Sequence, residues 1–236
     1  MEFWKGSPNT KVEMRCFDRN RVQMREITSK VAKDVIVTNH YSHTWPAANG
    51  GPDMCLGFYI DDKLNGVITY GLSSTPKMKN SLPSPNYWEL QRLYSFDWAG
   101  KNVESFMIGA SIRYIKKNYT EIDCLISFAD PNQGHFGTIY QATNWLYCGM
   151  SDVAGGYQYK FDGKWEHPRT TMARLKTRNH KNIMKMYPNL EYRKTIRKHR
   201  YIYLLPNSKR HRKELINNLK NKYEILPYPK KSLGKI

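Results

Sequence analysis

Apolar and polar residues alternate in two parts of the chain, and this period of two predicts β-strands. Residues 55–71, CLGFYIDDKLNGVITYG, contain two such runs separated by residues 61–65. We expect a hairpin here, with Asn65-Gly66 as its turn signal. Residues 87–96, YWELQRLYSF, alternate again and predict a strand with one face made of Trp88, Leu90, Arg92, Tyr94 and Phe96.

The pattern then changes to a helical period. After a break at residues 97–102, DWAGKN, apolar residues recur every three or four positions through residue 119. We expect Asn102 to cap the N-terminus of this helix. The buried stripe is predicted at Ile108, Ile112 and Ile115, and the basic last turn at Lys116 and Lys117.

Residues 123–165 predict a second group of elements. DCLISFAD, residues 123–130, is apolar enough for a buried strand, and residues 131–145 predict a helix. In that helix Asp130 would be the N-cap, Pro131 the first residue and Gln133 the capping-box partner. Residues 146–165 then predict a strand, a loop and a hairpin closed by Asp162-Gly163.

The order of these elements predicts one α/β domain with a mixed β-sheet flanked by helices. KHRYIYLLP, residues 198–206, predicts another strand with a basic start. We expect the catalytic domain to span residues 1–205, with its basic C-terminal part packed on the sheet's edge. Residues 206–236 are predicted to form a basic helix and tail.

Positive charge is concentrated in the last third of the chain. Residues 1–163 hold 17 Lys and Arg against 16 Asp and Glu, whereas residues 164–236 hold 21 against 4. This excess favours a polyanionic partner, above all nucleic acid. Because aromatic and apolar residues interrupt the charges, a solubilising tail is the weaker interpretation. The candidate phosphate contacts are Arg169, Arg197, Lys198 and Arg200.

Composition also bears on location and redox state. The apolar runs reach about five residues and a membrane span needs about twenty, so we expect no membrane association. Residues 1–10, MEFWKGSPNT, lack the apolar core of a signal peptide, which predicts a cytoplasmic location. The wide spacing of the cysteines favours reduced, mostly buried thiols over a zinc finger; they are Cys16, Cys55, Cys124 and Cys148.

The most concentrated set of polar side chains follows the apolar run at residues 35–38. NHYSHTWP, residues 39–46, places His40 and Tyr41 in a short turn where α/β sheets bind ligands, if the run is a strand. We expect an acid/base or substrate-binding site at His40 and Tyr41, and a hydrogen-bonded structural role for His43. A metal site is the second interpretation, with His135 and His167 as candidate ligands by residue type only.

Three further positions have a functional and a structural interpretation. Arg92 lies on an apolar face, so it needs an anion, either a substrate group or a carboxylate such as Asp130 or Glu104. Ser105, near Lys101, is at a helix N-terminus that could bind a donor's phosphate or carbonyl. Asp130 is either a helix cap or a carboxylate that orients the attacking amine.

The order of the elements resembles the acetyltransferase superfamily called GNAT. IYQATNW, residues 139–145, is similar in form to that superfamily's L-Y-x-K-x-G-F helix end. The resemblance implies a GNAT-like mixed sheet and places Tyr140 where many of these enzymes keep a tyrosine as general acid. The turn DWAGKN, however, departs from the superfamily's glycine-rich donor-binding turn, which counts against ordinary acyl-CoA binding.

A narrower resemblance is to the phage Mom family of GNAT-like enzymes. It is carried by NHYSHTWP, by LQRLYSFDWAGKNVESFMIGASIRYIKK, by SFADPNQGHFGTIYQATNWLYCG and by DGKWEHPRT, in this order. The resemblance implies transfer of a carbamoylmethyl (acetamido) group to adenine N6 in phage DNA, which protects that DNA from host restriction. The expected partners are double-stranded DNA and a small-molecule or aminoacyl donor, and the expected location is the host cytoplasm.

Transfer to adenine requires that the base leave the stack, because its amine is paired inside a duplex. The side chains that could stack on the displaced base are Tyr41, Trp45, Trp98 and Trp145. The donor stays open between an acyl-CoA and a glycine-derived or aminoacyl compound, and a metal requirement stays open too. Two alternatives are an ordinary GNAT acyltransferase of a small amine or protein and a non-catalytic nucleic-acid-binding protein.

Overall fold

The computed structural model describes residues 19–75, 77–151, 156–166 and 168–230. The chain divides into two compact units. The N-terminal unit contains the chain through Ser74 together with Leu90–Asn118, and the C-terminal unit contains Thr75–Glu89 together with the chain from Tyr119 onward. Among the described residues, no helix is long and apolar enough to cross a membrane.

The N-terminal unit is built on an antiparallel sheet. Its elements are β1 (Val22–Glu26), α1 (Ser29–Asn39), β2 (Met54–Ile60), β3 (Lys63–Gly71), the second part of β4 (Tyr87–Ser95) and α2 (Val103–Asn118). Strand β2 pairs with both β1 and β3 in antiparallel register. Helix α1 buries Ala32, Val35 and Ile36 against Cys55 and Val67, so the apolar run at residues 35–38 is the end of a helix.

The β2–β3 hairpin is confirmed, but its predicted turn is wrong. The chain reverses at Asp61 and Asp62, whose φ values of 48° and 60° suit a two-residue hairpin turn. Asn65 and Gly66 lie inside β3, at an irregularity in the pairing with β2. A Cβ atom on Gly66 would lie 2.7 Å from the Tyr94 carbonyl oxygen, so close packing explains this glycine.

Helix α2 has the predicted buried stripe and basic last turn. Ile108, Ile112 and Ile115 are buried, and Lys116 and Lys117 lie in the last turn. The helix begins directly after Asn102, but the φ of Asn102 is 67°, outside the extended conformation usual for an N-cap.

The C-terminal unit contains the first part of β4, β5 (Cys124–Ala129), α3 (Thr138–Gln141), β6 (Leu146–Met150) and β10 (His199–Leu204). Strands β4 and β5 are parallel, and β10 is antiparallel to β5 on one side and to β6 on the other. The expectation that the basic C-terminal part packs on the sheet's edge is therefore wrong for β10. Over both units, the strand order of this seven-stranded sheet is β1-β2-β3-β4-β5-β10-β6.

Residues 131–145 do not form the single predicted helix. A 3₁₀ turn at Pro131–Gln133 is followed by the four-residue helix α3. Gly134 and Gly137 separate the two with φ values of 68° and 79°, which interrupt a right-handed helix. At Gly137 a Cβ atom would overlap the Tyr201 ring, so this close approach also requires glycine.

A second, three-stranded sheet belongs to the C-terminal unit. It has the order β8-β7-β9, with β7 at Tyr157–Phe161, β8 at Lys164–Trp165 and β9 at Tyr192–Lys194. Helices α4 (Pro168–Leu175) and α5 (His180–Met186) lie between β8 and β9 in the chain. The β7–β8 turn at Asp162-Gly163 is confirmed, because both residues have positive φ.

Helix α6 (Lys209–Lys220) follows β10, and Ser208 caps it through a hydrogen bond to the His211 amide. Its Leu219 packs with Cys148 and Ile202 in the core of the C-terminal unit. The expected boundary between residues 205 and 206 stays a prediction, since the two compact units divide the chain elsewhere.

Candidate functional site

His40 lies at the C-terminal end of α1, in the N-terminal unit. Its amide donates to the Ile36 carbonyl, and its imidazole is buried. The Ser42 amide donates to His40 Nδ1 over 3.1 Å, and the Ser42 hydroxyl is 2.8 Å from the same nitrogen. Because Nδ1 accepts a hydrogen bond, a neutral ring carries its proton on Nε2.

The site predicted at a strand end is therefore at a helix end. Tyr41 stays half exposed, and its ring centroid is 4.2 Å from that of His40. His43 Nδ1 is 3.0 Å from the Val37 carbonyl, which accepts its hydrogen, so His43 has the expected structural role. This part of the chain thus combines a fixed imidazole with an accessible phenol ring.

Arg92 connects β4 to the same segment. Its Nε donates to the Thr44 carbonyl over 3.0 Å and its Nη2 to the Thr44 hydroxyl over 3.1 Å. Nη1 donates to the Gln91 carbonyl over 2.6 Å. The guanidinium therefore fixes the turn that follows His40. Glu104, one of its two expected carboxylate partners, accepts a hydrogen bond from Ser95 over 2.7 Å.

Ser105 and Lys101 lie around the N-terminus of α2. Ser105 is the third helical residue, as expected, and its hydroxyl donates to the Asn102 carbonyl over 2.9 Å. The serine oxygen can still accept from a ligand, while Lys101 is exposed and adds positive charge near the helix start. This arrangement suits a phosphate or carbonyl group of a donor.

In the C-terminal unit, Asp130 directly follows β5. Its Oδ1 accepts from the Asn132 amide over 3.0 Å, which confirms the predicted cap, although the element it caps is a 3₁₀ turn. Its Oδ2 is 3.2 Å from Lys198 Nζ. The β5–β10 register pairs Ala129 with His199, so Lys198 comes opposite Asp130. Lys198, expected to contact phosphate, is thus the ion-pair partner of Asp130.

Tyr140 is buried beside β5 and β10. The Ser127 hydroxyl donates to its phenol oxygen over 2.8 Å. Its ring centroid lies 5.1 Å from that of Tyr201, whose hydroxyl donates to the Phe136 carbonyl over 2.6 Å. Burial raises the pKa of Tyr201 to about 12, so this hydroxyl keeps its proton at neutral pH.

The sequence interpretation missed His199 and Tyr147, which lie beside the same strands. The Tyr147 hydroxyl and His199 Nδ1 are 3.0 Å apart. Burial lowers the pKa of His199, so the neutral imidazole is favoured at pH 7. The alternation of aromatic residues in HRYIYL was the available signal, because it puts His199, Tyr201 and Tyr203 on one face of β10.

Two expectations about surface residues are wrong. Trp145 is fully buried, so it belongs to the core and cannot stack on a displaced base. Arg200 is 4% exposed, with its guanidinium carbon 4.2 Å from the centre of the Tyr223 ring, so it is not a surface phosphate contact. These two residues fill the interior of the C-terminal unit.

The other predicted nucleic-acid contacts stay predictions. Trp98 is exposed, Trp45 is half-buried beside the α1 core, and Arg197 is exposed. Arg169 lies in α4, and its side chain is outside the part of the chain that is described.

The described residues give little support to the interpretation of a metal site. Within them, no group of three or more His, Cys, Asp and Glu side chains is arranged to hold a metal ion. His167 and Cys16 lie outside those ranges. Cys55, Cys124 and Cys148 are free and buried, as expected, and burial raises the pKa of Cys55 to about 11 and those of the other two to about 12.

Comparison with solved structures finds acetyltransferases at low similarity. A spermidine/spermine N-acetyltransferase, SpeG from Vibrio cholerae, has a TM-score of 0.47 and 9% identity, and covers 79% of this chain and 94% of its own. An N-acetyltransferase from Staphylococcus aureus Mu50 has a TM-score of 0.44 and 11% identity over 78% and 97% of the two chains. Because both TM-scores are below 0.5, the family assignment rests on sequence.

The sequence comparisons cover almost the whole chain. Methylcarbamoylase mom of Escherichia phage Mu is 27% identical over 218 residues, which are 91% of this chain and 86% of that protein. The model of the Mom protein family matches residues 21–230, a range that contains every candidate site residue named above. The chain therefore belongs to the Mom protein family.

Proposed function

We propose that this chain modifies adenine in phage DNA by transferring a carbamoylmethyl group to N6. The family match across residues 21–230 is the observation that carries this proposal. The phage Mu relative bears the name methylcarbamoylase, which fits the group to be added. Phage DNA in the host cytoplasm would then be the substrate, and modification would protect it from restriction.

The chemistry requires a group that accepts a proton from the amine. Adenine N6 is a weak nucleophile because its lone pair is delocalised into the ring, so the amine must lose a proton as the new bond forms. His40 is our candidate acceptor or substrate-binding group, with its ring orientation fixed by Ser42 and its neighbour Tyr41 exposed. As a proton acceptor the neutral ring would use Nδ1, so the Ser42 amide would have to release that nitrogen first.

Asp130 and Tyr140 have different candidate roles. Both oxygens of Asp130 are engaged, by the Asn132 amide and by Lys198, so the carboxylate fits an orienting role. Tyr140 accepts from Ser127 and is our candidate general acid for the leaving group. That His40, Arg92 and Ser105 converge with these two residues on one cleft stays a prediction.

The donor would bind near Ser105 and Lys101, at the start of α2. A helix N-terminus and a lysine favour an anionic group, such as a phosphate or a carboxylate. An acyl-CoA and a glycine-derived or aminoacyl donor both carry such groups, so the donor stays open between them.

The test is nucleoside analysis of DNA from cells that express the chain. We expect digestion and mass spectrometry to reveal a new adenine nucleoside whose added mass equals that of a carbamoylmethyl group. An added acetyl group on a protein or small amine would instead support an ordinary acyltransferase. Unmodified DNA, together with tight duplex binding by the purified protein, would support a non-catalytic nucleic-acid-binding protein.

A further inference from the structure

Residues 156–196 form a small sheet with two helices, which we call the basic module. This segment contains ten Lys and Arg against three Asp and Glu. Two of the cations are neutralised within it: Lys160 pairs with Glu191 over 2.9 Å, and Arg174 pairs with Glu166 over 2.5 Å. Most of the remaining positive charge is therefore available to a partner.

Six exposed cations of the basic module form no ion pair with a carboxylate in the described part of the chain. They are Lys164, Lys176, Arg178, Lys181, Lys185 and Lys194. Exposed and unpaired cations at this density favour a polyanion over a protein surface of mixed charge.

An exposed tryptophan accompanies these cations. Trp165 ends the β7–β8 hairpin and is 38% exposed. The guanidinium carbon of Arg193 lies 4.5 Å from the ring centre, and Lys160 Nζ lies 5.9 Å from it. Strand pairing puts all three on one face, since Trp165 is opposite Lys160 and Arg193 is opposite Gln158. Lys164 and Lys194 lie on the other face, because they are opposite Phe161 and Tyr157. An aromatic ring bordered by cations is typical of surfaces that contact nucleobases and phosphates together.

The other face of the small sheet holds this surface in place. Tyr159 is buried, and its hydroxyl is 2.9 Å from His180 Nδ1 at the start of α5. The His180 ring stacks on Tyr157 with centroids 3.9 Å apart. Glu166 accepts from Thr171, besides pairing with the α4 arginine, and so ties the hairpin to α4. The cations and the tryptophan are thus carried by a packed scaffold.

We propose that the basic module is the surface on which DNA docks, a proposal that rests on the proposed function. Its exposed cations contact phosphates, and Trp165 stacks on a base that becomes exposed when the target adenine leaves the duplex. The competing surface is the start of α6, where Lys209, Arg210 and Lys213 are also exposed. The basic module is favoured because it has both exposed cations and an exposed tryptophan, whereas α6 contains no Phe, Tyr or Trp residue.

The first test compares these two sets of cations in the full chain. The module variant combines Lys164→Gln, Lys181→Gln and Lys194→Gln, and the matched α6 variant combines Lys209→Gln, Arg210→Gln and Lys213→Gln. Binding to a short fluorescent duplex is measured over a salt series. We expect the module variant to bind at least about tenfold more weakly and its slope of log K against log salt to fall by about two to three.

The α6 variant should keep the affinity and slope of the unmodified chain. If the α6 variant loses the affinity and the module variant does not, DNA docks elsewhere and this inference is wrong, while the proposed function stands. If the unmodified chain does not bind the duplex at any salt concentration in the series, DNA binding itself fails, and the proposed function fails with it.

The second test isolates Trp165 with a fully paired duplex and with the same duplex carrying one unpaired adenine. We expect Trp165→Ala to weaken binding to the second probe at least about fivefold and to leave binding to the first unchanged. Trp165→Phe keeps an aromatic face and should retain most of the affinity. Equal affinity of Trp165→Ala and the unmodified chain for the second probe would overturn the stacking role, provided that thermal melts show both folded.

Discussion

The two sheets of the C-terminal unit use their basic and aromatic residues in opposite ways. On β10, His199 and Tyr201 are buried and Arg200 lies over the Tyr223 ring, and next to this strand Lys198 is paired with Asp130. On the small sheet, Trp165 and several lysines are exposed. Lys and Arg abundance alone therefore does not locate a nucleic-acid surface, because a cation can instead be buried in the core, as Arg200 is, or paired with a carboxylate, as Lys198 is.

This contrast separates two tasks. The buried set offers fixed side chains of defined protonation, which proton transfer requires. The exposed set offers positive charge that can bind DNA of any sequence. A change in the first should affect chemistry or stability without affecting DNA affinity, and a change in the second should do the reverse.

The largest expected effect is that of Asp130→Asn on modification. Asparagine caps a helical turn about as well as aspartate, and the lost Lys198 ion pair is partly exposed, so stability should fall by less than about 1 kcal/mol. We expect the yield of modified adenine to fall at least about 100-fold. Nucleoside mass spectrometry with a thermal melt of the purified variant checks this. Full activity would leave Asp130 as a cap only.

Tyr140→Phe should also reduce modification strongly, by about 100-fold. The ring packing is retained, and the Ser127 hydroxyl loses a buried acceptor at a cost of about 1 kcal/mol. Tyr228→Phe is the matched control, because it too removes a phenol that makes a hydrogen bond, here to the Trp145 carbonyl. Equal modification yields from the two variants would assign Tyr140 to the core.

Arg200→Ala and Arg197→Ala sharpen the contrast between buried and exposed cations. We expect Arg200→Ala to lower the free energy of unfolding by about 2 kcal/mol, because the guanidinium packs on Tyr223. Its DNA-binding salt slope should not change. Arg197→Ala should alter stability by less than about 0.5 kcal/mol. Chemical denaturation measures the stabilities, and DNA binding over a salt series measures the slopes. A smaller salt slope together with unchanged stability in Arg200→Ala would contradict the buried role of Arg200.

The smallest expected effect is a pH dependence caused by His199. Burial lowers its pKa in the folded chain from the ordinary 6.5. Between pH 6.5 and the lower folded pKa, His199 is protonated in the unfolded chain and neutral in the folded chain. The free energy of unfolding therefore decreases as the pH falls through this range. We expect His199→Gln to flatten the change in melting temperature over this window. If the melting temperature of His199→Gln changed with pH as steeply as that of the unmodified chain, groups other than His199 would cause the pH dependence.

Much of the fold was predictable because it depends on local patterns. The strands at residues 87–96, 123–130 and 198–206, the α2 stripe and the Asp162-Gly163 turn all follow from short-range periodicity. The interior place of β10 did not follow, because it depends on pairing with β5 and β6, which are distant in sequence. Likewise, Asp61-Asp62 and Asn65-Gly66 are both turn-forming, and only the pairing with β2 selects between them.

The sequence predicted which residue types belong to the candidate site better than it predicted the surroundings of each residue. Asp130 was correctly placed as a cap, but its ion pair with Lys198 depends on the β5–β10 register. His199 was missed because the sequence pattern put β10 at an edge rather than beside β5. Trp145 and Arg200 were assigned to the surface because residue type does not show burial.

The affinity of Asp130→Asn for duplex DNA tests the separation of chemistry from docking most directly. The unmodified chain, Asp130→Asn and the module variant would be titrated with the same duplex at one salt concentration, and each would be assayed for modified adenine. The account predicts unchanged affinity and almost no modification for Asp130→Asn, with weakened affinity for the module variant. A parallel loss of affinity and modification in a folded Asp130→Asn protein would contradict it.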